Sequence, residues 1–420
     1  MVRKARFLFA MWEGGGTAPP ELAVASRLVA RGHDVRVIGD PTLEADVVAA
    51  GARFSSWREA PHRATRTRES EIVRDWAALT PFGAFARARD RHAFRPAGLF
   101  AREVVEAFRA APADVVVSDA MLFGGLVGAE ASGARVAALL PMTSFLPARG
   151  RPPAALGLRP ARGALGRARD RLLEAAGDAL LWRSCLPLLN AARRDVGLGP
   201  IAHPLDQIRR ADRVLVQTSA WFDFDAHDEG NVRWVGPEIA DPAWAKEAPE
   251  ETFDVIVAFS TTFMGQEPLL ERVARALGDL QIRAIITTGP AIDPSAIRAP
   301  KNVTVRASAS HAALLPRASL VVTHGGHGTL IRALAFGVPV LCMPMGRDQS
   351  DNAVRAEAAG AGRTISRHAS TRRIRHEIER ALEDGSLREG AQRARARIST
   401  EMRSDRAVAE LESLLEAPNA

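Results

Sequence analysis

Residues 320–362 read LVVTHGGHGTLIRALAFGVPVLCMPMGRDQSDNAVRAEAAGAG and contain two apolar runs, each followed by a polar turn and a helix-favouring stretch. The first run ends at Thr323 and leads into a glycine-rich turn. The second run, PVLCMPM, leads into Asp348-Gln349. Continuous apolar runs joined by helical sequence are typical of a parallel sheet that helices cover on both faces. The segment therefore predicts a doubly wound α/β domain.

The two polar turns predict a binding site for a sugar that carries phosphate. The strand ends of a parallel sheet share one edge, so we expect both turns to face one crevice. The glycines allow a ligand to approach the backbone closely, and the helix that follows begins with unpaired amides that attract anions. His324 and Thr329 can add hydrogen bonds, and Asp348-Gln349 can bind sugar hydroxyls. Together these groups describe a nucleotide-sugar site.

The rest of the chain repeats the pattern in two units, and a length of 420 residues suits two domains. The strands of the first unit are predicted from ARFLFAMW, HDVRVIGD, ADVVVSD, ARVAALLP and DRVLVQTS. Those of the second are predicted from FDVIVAFS, IRAIITTG, NVTVRAS, ASLVVTHGG and PVLCMPM. A stretch rich in Asp, Pro and Trp lies between the two units. We expect a first domain over residues 1–220, a linker over 221–250 and a second domain from 251.

Composition excludes several functional classes. The net charge is +7, but nearly all basic residues are scattered arginines, and the chain has no Tyr for base stacking, so we expect no nucleic-acid partner. No apolar run approaches the roughly 18 residues of a membrane span. The apolar part of the N-terminus, Phe7 to Trp12, is shorter than the ~7–15 residues of a signal-peptide core, so we expect a cytoplasmic protein. Cys185 and Cys342 are too isolated for a disulfide framework or zinc site.

A second glycine-rich turn, Gly14–Gly16, follows the first predicted strand. It does not fit the dinucleotide fingerprint, because Pro19 stands where the third glycine belongs. No Gly-Lys-Ser/Thr follows it either. An NAD-dependent dehydrogenase and a P-loop NTPase are therefore disfavoured.

The segment 320–362 resembles the donor-binding signature of the GT-B fold family 1 glycosyltransferases, in particular the bacterial antibiotic and macrolide branch. The resemblance extends to RLVARGHDVRVIGD, ADVVVSDAMLFGG and NVRWVGP. It implies two Rossmann-like domains facing across a cleft, and an inverting glycosyltransferase of natural-product biosynthesis that acts as a monomer or homodimer. Residues 1–220 would bind a hydrophobic small-molecule acceptor and residues 251–400 a UDP- or dTDP-sugar, while a helix in 401–420 would pack back on the first domain. The implied donor-binding residues are Ser260, Thr261, His311, His324, Gly326, Gly328, Thr329, Asp348 and Gln349.

The sequence departs from the family at two positions. Thr17 stands where members carry a catalytic His, and a Thr hydroxyl is no general base near neutral pH. A positioned base accelerates a reaction about 10²–10⁴-fold. This is only a part of the total rate enhancement of an enzyme, so we still expect turnover without the His. Three substitutes stay open: Glu13 in the same loop, Asp119 at the end of a strand, or an acceptor that is itself acidic. Arg332 replaces the Glu that often binds ribose, and it would reach a phosphate or face solvent.

Asp223-Phe224-Asp225 resembles the metal-binding Asp-x-Asp motif of the other glycosyltransferase fold. It lies in the predicted linker, so we expect no metal and no cofactor besides the nucleotide-sugar co-substrate. Two alternative functions remain. One is a catalytically impaired homologue that binds a nucleotide-sugar or serves an enzyme as an auxiliary partner. The other, nucleotide-sugar epimerisation, would need further acid-base residues in the donor cleft.

Overall fold

The computed structural model describes residues 4–245, 249–402 and 404–416, which form two α/β domains. In the described residues the first domain has the strands β1 (Arg6–Ala10), β2 (Asp34–Gly39), β3 (Arg53–Ser56), β4 (Val115–Asp119), β5 (Arg135–Leu140), β6 (Arg213–Val216) and β7 (Val232–Trp234). They form one parallel sheet in the order β3-β2-β1-β4-β5-β6-β7. Its helices are α1 (Ala18–Ala30), α2 (Glu44–Ala49), α3 (Pro81–Ala88), α4 (Ala97–Ala110), α5 (Phe123–Ala131), α6 (Gly163–Leu180), α7 (Leu186–Asp195) and α8 (Asp206–Arg209).

Both faces of this sheet are buried, which explains why its central strands are continuously apolar. Phe7 and Phe9 of β1 pack against α1 on one face. Leu8 and Ala10 point to the other face, where α4 and α5 cover them. The side chains of a strand alternate between the two faces of a sheet, so a strand buried on both faces must be apolar at every position.

The second domain repeats the arrangement with six strands in the described residues. They are β8 (Val255–Ala258), β9 (Ala284–Thr287), β10 (Val303–Arg306), β11 (Leu320–Thr323), β12 (Val340–Cys342) and β13 (Gly362–Thr364). The sheet is parallel in the order β10-β9-β8-β11-β12-β13. Its helices are α9 (Glu267–Gly278), α10 (His311–Leu314), α11 (His327–Ala335), α12 (Gln349–Ala358), α13 (Thr371–Glu383) and α14 (Gly385–Met402).

The predicted pair of doubly wound parallel sheets is confirmed, and the structure adds three strands that the sequence analysis does not predict. These strands are β3, β7 and β13, and each lies at the edge of its sheet. β7 falls inside the range predicted as linker and pairs with β6, so β6 is not the last strand of the first sheet. The functional boundaries 1–220, 221–250, 251–400 and 401–420 stay predictions.

The last described helix, α15 (Arg406–Ser413), lies on the first domain although it follows the second in sequence. Ala407, Val408 and Leu411 belong to the same buried cluster as Phe7 of β1 and Leu28 of α1. Glu412 also pairs with His33 of the first domain, with 3.0 Å between Oε1 and Nε2. Within the described ranges, no helix combines the length and apolarity needed to cross a membrane.

Candidate active site

The glycine-rich turn between β11 and α11 leaves a row of backbone amides open at the start of the helix. Gly325 has φ +90°, and a Cβ there would lie 2.9 Å from the carbonyl oxygen of Gln349. A Cβ on Gly326 would lie 2.5 Å from Nε2 of His324, so the imidazole sits directly beneath the turn. Both glycines are therefore required sterically. The helix begins at His327 without a side-chain cap, which leaves its first amides for a ligand.

His324 is uncharged at neutral pH in this environment. The pKa of its imidazole is lowered to about 3, first by burial and then by the positive charge of Arg347. Its Nδ1 lies 3.3 Å from Oγ1 of Thr323. His324 can therefore serve a ligand as an uncharged hydrogen-bonding group, and the guanidinium of Arg347 nearby is paired with Asp75.

The second predicted turn lies at the neighbouring strand end, as expected for a parallel sheet. Asp348 is the last residue before α12, and its Oδ2 accepts a hydrogen bond of 2.7 Å from Nδ2 of Asn352. Burial raises the pKa of the Asp348 carboxyl. The amide oxygen of Gln349 accepts from the backbone of Met345 at 2.7 Å and of Gly346 at 3.2 Å. The side chain of Gln349 thus holds the turn that carries Asp348.

The loop after β8 places Ser260 and Thr261 beside β11, because β8 and β11 are neighbours in the sheet. Ser260 is buried and its Oγ lies 2.9 Å from Oγ1 of Thr262. His311 begins α10, and its Nε2 lies 3.1 Å from Oγ1 of Thr287. Burial lowers the pKa of His311 to about 4.

The first domain contacts these loops through its glycine-rich turn. A Cβ on Gly15 would lie 2.7 Å from Oγ1 of Thr261, and Gly15 has φ +77°. A Cβ on Gly328 would lie 4.0 Å from the carbonyl oxygen of Gly16. Beside them, Nε2 of His327 is 2.8 Å from Oγ1 of Thr218, which follows β6. The structure therefore brings the predicted donor loops and the predicted catalytic loop to one place.

Neighbouring groups hold the Glu13 carboxylate firmly. Its Oε1 accepts from the backbone of Gly15 at 3.0 Å, and its Oε2 lies 2.8 Å from Nε of Arg66. The side chain is only 5% exposed. Both carboxylate oxygens of Glu13 are thus already engaged by donors of the protein.

Asp119 has a different environment, which the sequence analysis does not anticipate in full. Its Oδ2 accepts from Nε1 of Trp12 at 2.9 Å, and its Oδ1 accepts from the backbone of Met121 at 2.6 Å. The completely buried carboxyl of Glu21, on α1, interacts with it. Burial raises the pKa of Asp119 to about 6. Burial and the neighbouring Asp119 carboxylate raise the pKa of Glu21 well above its usual value, which favours the protonated form of Glu21.

Thr17 lies one helical turn before Glu21, in the same region of the first domain. Its side-chain oxygen is buried and has no hydrogen-bond partner. A Cβ on Gly14 would lie 2.5 Å from that oxygen and 2.8 Å from the Trp12 ring. Glu21 itself could have been found from the sequence, because it falls at helical spacing with the apolar positions of Val24 and Leu28.

Arg332 takes neither of the two roles expected of it. Its Nε donates to the carbonyl of Ile239 at 2.9 Å and its Nη2 to that of Ala240 at 2.7 Å. Its Nη1 lies 3.3 Å from Oδ1 of Asp241. The side chain is 12% exposed, so it neither faces solvent nor extends to the phosphate-binding turn. Arg332 instead fixes the linker on α11.

Arg347 connects the second turn to the first domain. It has φ +55°, an uncommon conformation for a non-glycine residue. Its guanidinium binds both oxygens of Asp75, at 2.7 and 3.0 Å, and donates to Oγ1 of Thr262 at 3.0 Å. Close by, Glu71 accepts from the backbone of Phe263 at 3.2 Å. A segment of the first domain thus lies over the loop after β8.

Helix α12 docks on the first domain just beyond Asp348-Gln349. The carboxylate of Asp351 accepts from the backbone amides of Ala155 at 2.6 Å and Gly157 at 2.7 Å. Asn352 contacts Oγ1 of Thr143 at 3.3 Å. The helix that begins at the second turn is therefore attached to a loop of the predicted acceptor domain.

Asp223, of the Asp-x-Asp sequence, lies in a buried cluster of ion pairs. Its Oδ1 lies 2.9 Å from Nη2 of Arg355 on α12, and its Oδ2 lies 2.8 Å from Nη2 of Arg151. Trp234 and the backbone of Ser144 also donate to it, at 2.9 and 3.2 Å. Its oxygens are thus occupied by donors. The described part of the chain contains no cluster of three or more His, Cys, Asp or Glu suited to a metal ion.

Comparison with known proteins shows which family the chain belongs to. Residues 271–416 match the family described as erythromycin biosynthesis protein CIII-like, C-terminal domain. The 4'-demethylrebeccamycin synthase of Lentzea aerocolonigenes is 31% identical over 403 residues, which cover 93% of this chain and 95% of that protein.

Solved structures share the fold along nearly the whole chain. The glycosyltransferase of kitacinnamycin superposes with a TM-score of 0.75 at 20% identity, covering 99% of this chain and 100% of that one. The glycosyltransferase VinC, solved in complex with dTDP, has a TM-score of 0.65 at 18% identity, with 98% and 99% covered. These findings confirm the predicted fold and family: the chain belongs to the GT-B glycosyltransferases of antibiotic biosynthesis.

Proposed function

We propose that this glycosyltransferase moves a sugar, with inversion at the anomeric carbon, from a UDP- or dTDP-sugar to a hydroxyl of a hydrophobic small molecule. The observation that carries the proposal is the meeting of Gly15 and Gly16 with Thr261 and Gly328. This contact would join the proposed catalytic loop of one domain to the proposed anion-binding helix start of the other. A donor and an acceptor bound there would be adjacent, and such positioning supplies a large part of enzymatic rate enhancement.

We infer that the donor diphosphate binds at the start of α11. The open amides after Gly326 and the imidazole of His324 would donate hydrogen bonds, and the guanidinium of Arg347 supplies positive charge nearby. Asp348 and Gln349 would bind the sugar, with Ser260 and Thr261 beside the phosphates. The dTDP complex of VinC supports a nucleoside diphosphate as the leaving group.

For the general base we propose Asp119 instead of Glu13. A pKa near the working pH suits proton transfer, and that of Asp119 is raised to about 6. Glu13 is paired with Arg66. In the proposed step the acceptor oxygen forms a bond to the anomeric carbon while the bond from that carbon to the diphosphate breaks. The acceptor proton passes to Asp119, and the nucleoside diphosphate leaves.

A hydrophobic acceptor is supported by the apolar surface of the first domain. Large apolar side chains are exposed on the first domain, which does not carry the predicted donor loops. They lie on or beside α3 and along α6: Leu79, Phe82, Leu165, Leu172 and Leu180. An apolar ligand would cover part of this surface and gain roughly 25 cal/mol for each Å² removed from water.

The test is nucleoside diphosphate release from UDP- and dTDP-sugars with a panel of phenolic and alcoholic acceptors. Wild type should release it only when an acceptor is present. His324→Ala and Asp119→Asn should lose most activity, whereas Glu13→Gln and Thr17→Ala should lose much less. Nucleotide-sugar binding without release on any acceptor would favour a catalytically impaired homologue. A Thr17→Ala enzyme as inactive as His324→Ala would contradict the assignment of the first loop.

A further inference from the structure

Helix α6 presents a stripe of apolar side chains to solvent along its length. Leu165 is 89% exposed and Leu172 is 71% exposed, while Asp170 on the other side of the helix is buried. The exposed residues of one helix face recur at i, i+3, i+7, i+10 and i+14, and we call them the α6 stripe: Leu165, Ala168, Leu172, Ala175 and Ala179. Apolar side chains at this spacing normally face a partner, and here they face water.

Arginines lie on both sides of the α6 stripe. With 3.6 residues per turn, Arg167 and Arg171 fall on one side of it, and Arg162 and Arg169 fall on the other. All four side chains are exposed. Arg169 pairs with its neighbour Asp170. Within the part of the chain that the structure describes, no acidic side chain pairs with Arg162, Arg167 or Arg171. Their charges are therefore available to an anionic partner.

The segment around α3 extends this surface. Phe85 of α3 packs against Trp182, just after α6, with 6.1 Å between the ring centroids. At the start of α3, the side chains of Leu79 and Phe82 are exposed. We call Leu79, Phe82, the α6 stripe and the arginines beside them the α3–α6 surface.

The charge of these segments decides what kind of partner the surface fits. Residues 79–95 and 162–183 hold nine arginines and four acidic residues, so less than a tenth of the chain carries +5 of its net charge of +7. A second copy of the chain would bring the same charge and be repelled. A nucleic acid would be attracted, but single strands bind by stacking on aromatic platforms and would leave exposed leucines in water.

The α6 stripe is also too long for a small-molecule acceptor to cover. The 15 residues from Leu165 to Leu180, which is exposed as well, correspond to roughly 22 Å of helix. Small molecules bind in clefts that enclose them, whereas α6 is exposed around most of its circumference. An extended anionic layer with an apolar interior would match both the leucines and the arginines.

We propose that the α3–α6 surface docks on a membrane that contains anionic lipids, with α6 lying in the plane of the headgroups. Leu165, Leu172 and Leu180 enter the boundary between headgroups and acyl chains. The flanking arginines extend to the lipid phosphates while their aliphatic stems stay in apolar surroundings. The contact is peripheral and reversible. It does not depend on the proposed reaction, and it would bring the enzyme to the phase in which hydrophobic molecules accumulate.

The experiment measures sedimentation of the full-length protein with vesicles of phosphatidylcholine alone or mixed equally with phosphatidylglycerol. Wild type should bind the mixed vesicles at low salt and bind pure phosphatidylcholine much less. Arg167→Gln combined with Arg171→Gln should weaken binding about 25-fold, because one arginine near an anionic surface contributes about fivefold. The matched control combines Arg372→Gln with Arg395→Gln. It removes the same charge from exposed positions of the second domain and should bind like wild type.

A second pair of variants tests the apolar part of the contact. Leu165→Gln combined with Leu172→Gln should weaken vesicle binding at least tenfold, because the leucines no longer leave water on docking. Thermal unfolding of this double variant should match that of wild type, since both side chains are already exposed in the folded protein.

Four results would overturn the proposal. The first is wild type that does not sediment with the mixed vesicles at low salt. The second is an equal loss in the control pair, since binding would then reflect only net charge. The third is undiminished binding of the leucine variants, which would show that α6 does not enter the membrane. The fourth is wild type that self-associates in sedimentation equilibrium and is dissociated by Leu172→Gln, which would assign the surface to a second copy.

Discussion

Asp223→Asn is expected to destabilise the protein more than any other single substitution of a linker carboxylate. Asp223 is completely buried and accepts hydrogen bonds from two guanidinium groups, one indole and one backbone amide. Asparagine keeps one acceptor oxygen but turns an NH₂ group toward these donors. Arg151 and Arg355, 11% and 5% exposed, would then be buried without a counter-charge.

Removing one partner of a buried ion pair costs about 3–5 kcal/mol, because the remaining charge stays desolvated. The total stability of a protein is about 5–15 kcal/mol, so a large fraction would be lost. Arg355 belongs to the second domain and Asp223 to the chain that follows the first. The loss should therefore also loosen the contact between domains and raise the KM for the donor.

The measurement is urea unfolding followed by tryptophan fluorescence. Trp234, whose indole donates to Asp223, is one of the seven tryptophans that contribute to this signal. The matched control is Asp225→Asn in the same Asp-x-Asp sequence. Asp225 is exposed and has φ +52°, a conformation that asparagine adopts readily, so its unfolding free energy should stay within about 0.5 kcal/mol of wild type. A difference of less than 1 kcal/mol between the two variants would refute the reasoning.

Three further outcomes are expected. Gly326→Ala should displace the His324 imidazole, which would lie 2.5 Å from the new Cβ, and should abolish donor binding. The control Gly328→Ala, whose Cβ would have 4.0 Å of space, should fold as stably as wild type. Equal destabilisation of the two variants in thermal unfolding would contradict the geometry of the turn. The kcat/KM should rise as the pH increases through about 6, because Asp119 accepts a proton only when it is ionised. The Asp119→Asn variant should lose both this rise and most of the activity. A rise that survives in this variant would exclude Asp119 as the base. If the proposed diphosphate site is correct, EDTA should leave transfer unchanged, because backbone amides and the guanidinium of Arg347 would meet the diphosphate. Activity lost to EDTA and restored by Mg²⁺ or Mn²⁺ would contradict this.

The central strands of both sheets follow from the sequence because burial on two faces makes them continuously apolar. The strands that the sequence does not predict, β3, β7 and β13, are edge strands of three or four residues. Each of them exposes part of its side chains to solvent. Without an uninterrupted apolar run, such strands resemble loops. Only β10 among the edge strands is predicted, since its Val-Thr-Val sequence retains an apolar alternation.

The donor turns could also be predicted, because the residues that form them are adjacent in sequence and parallel strand ends share an edge. The contacts of the other side chains could not. Arg355 meets Asp223 across 132 residues, and Arg347 meets Asp75 across 272. Arg332 binds backbone carbonyls of the linker, and because every residue has a backbone carbonyl, the sequence does not mark these partners. The preference for Asp119 over Glu13 likewise depends on a distant partner, because only the fold shows Arg66 beside Glu13.

Helix α12 has a consequence for engineering by domain exchange. Its first turn carries the proposed sugar ligands, while Asp351 on the same helix holds the loop around residues 155–157 of the other domain. A chimera that imports a foreign first domain would lose this attachment, and the sugar would shift relative to the hydroxyl it must meet. Grafts intended to change only the aglycone should therefore retain residues 143–157 of the recipient, or exchange α12 together with its new neighbour.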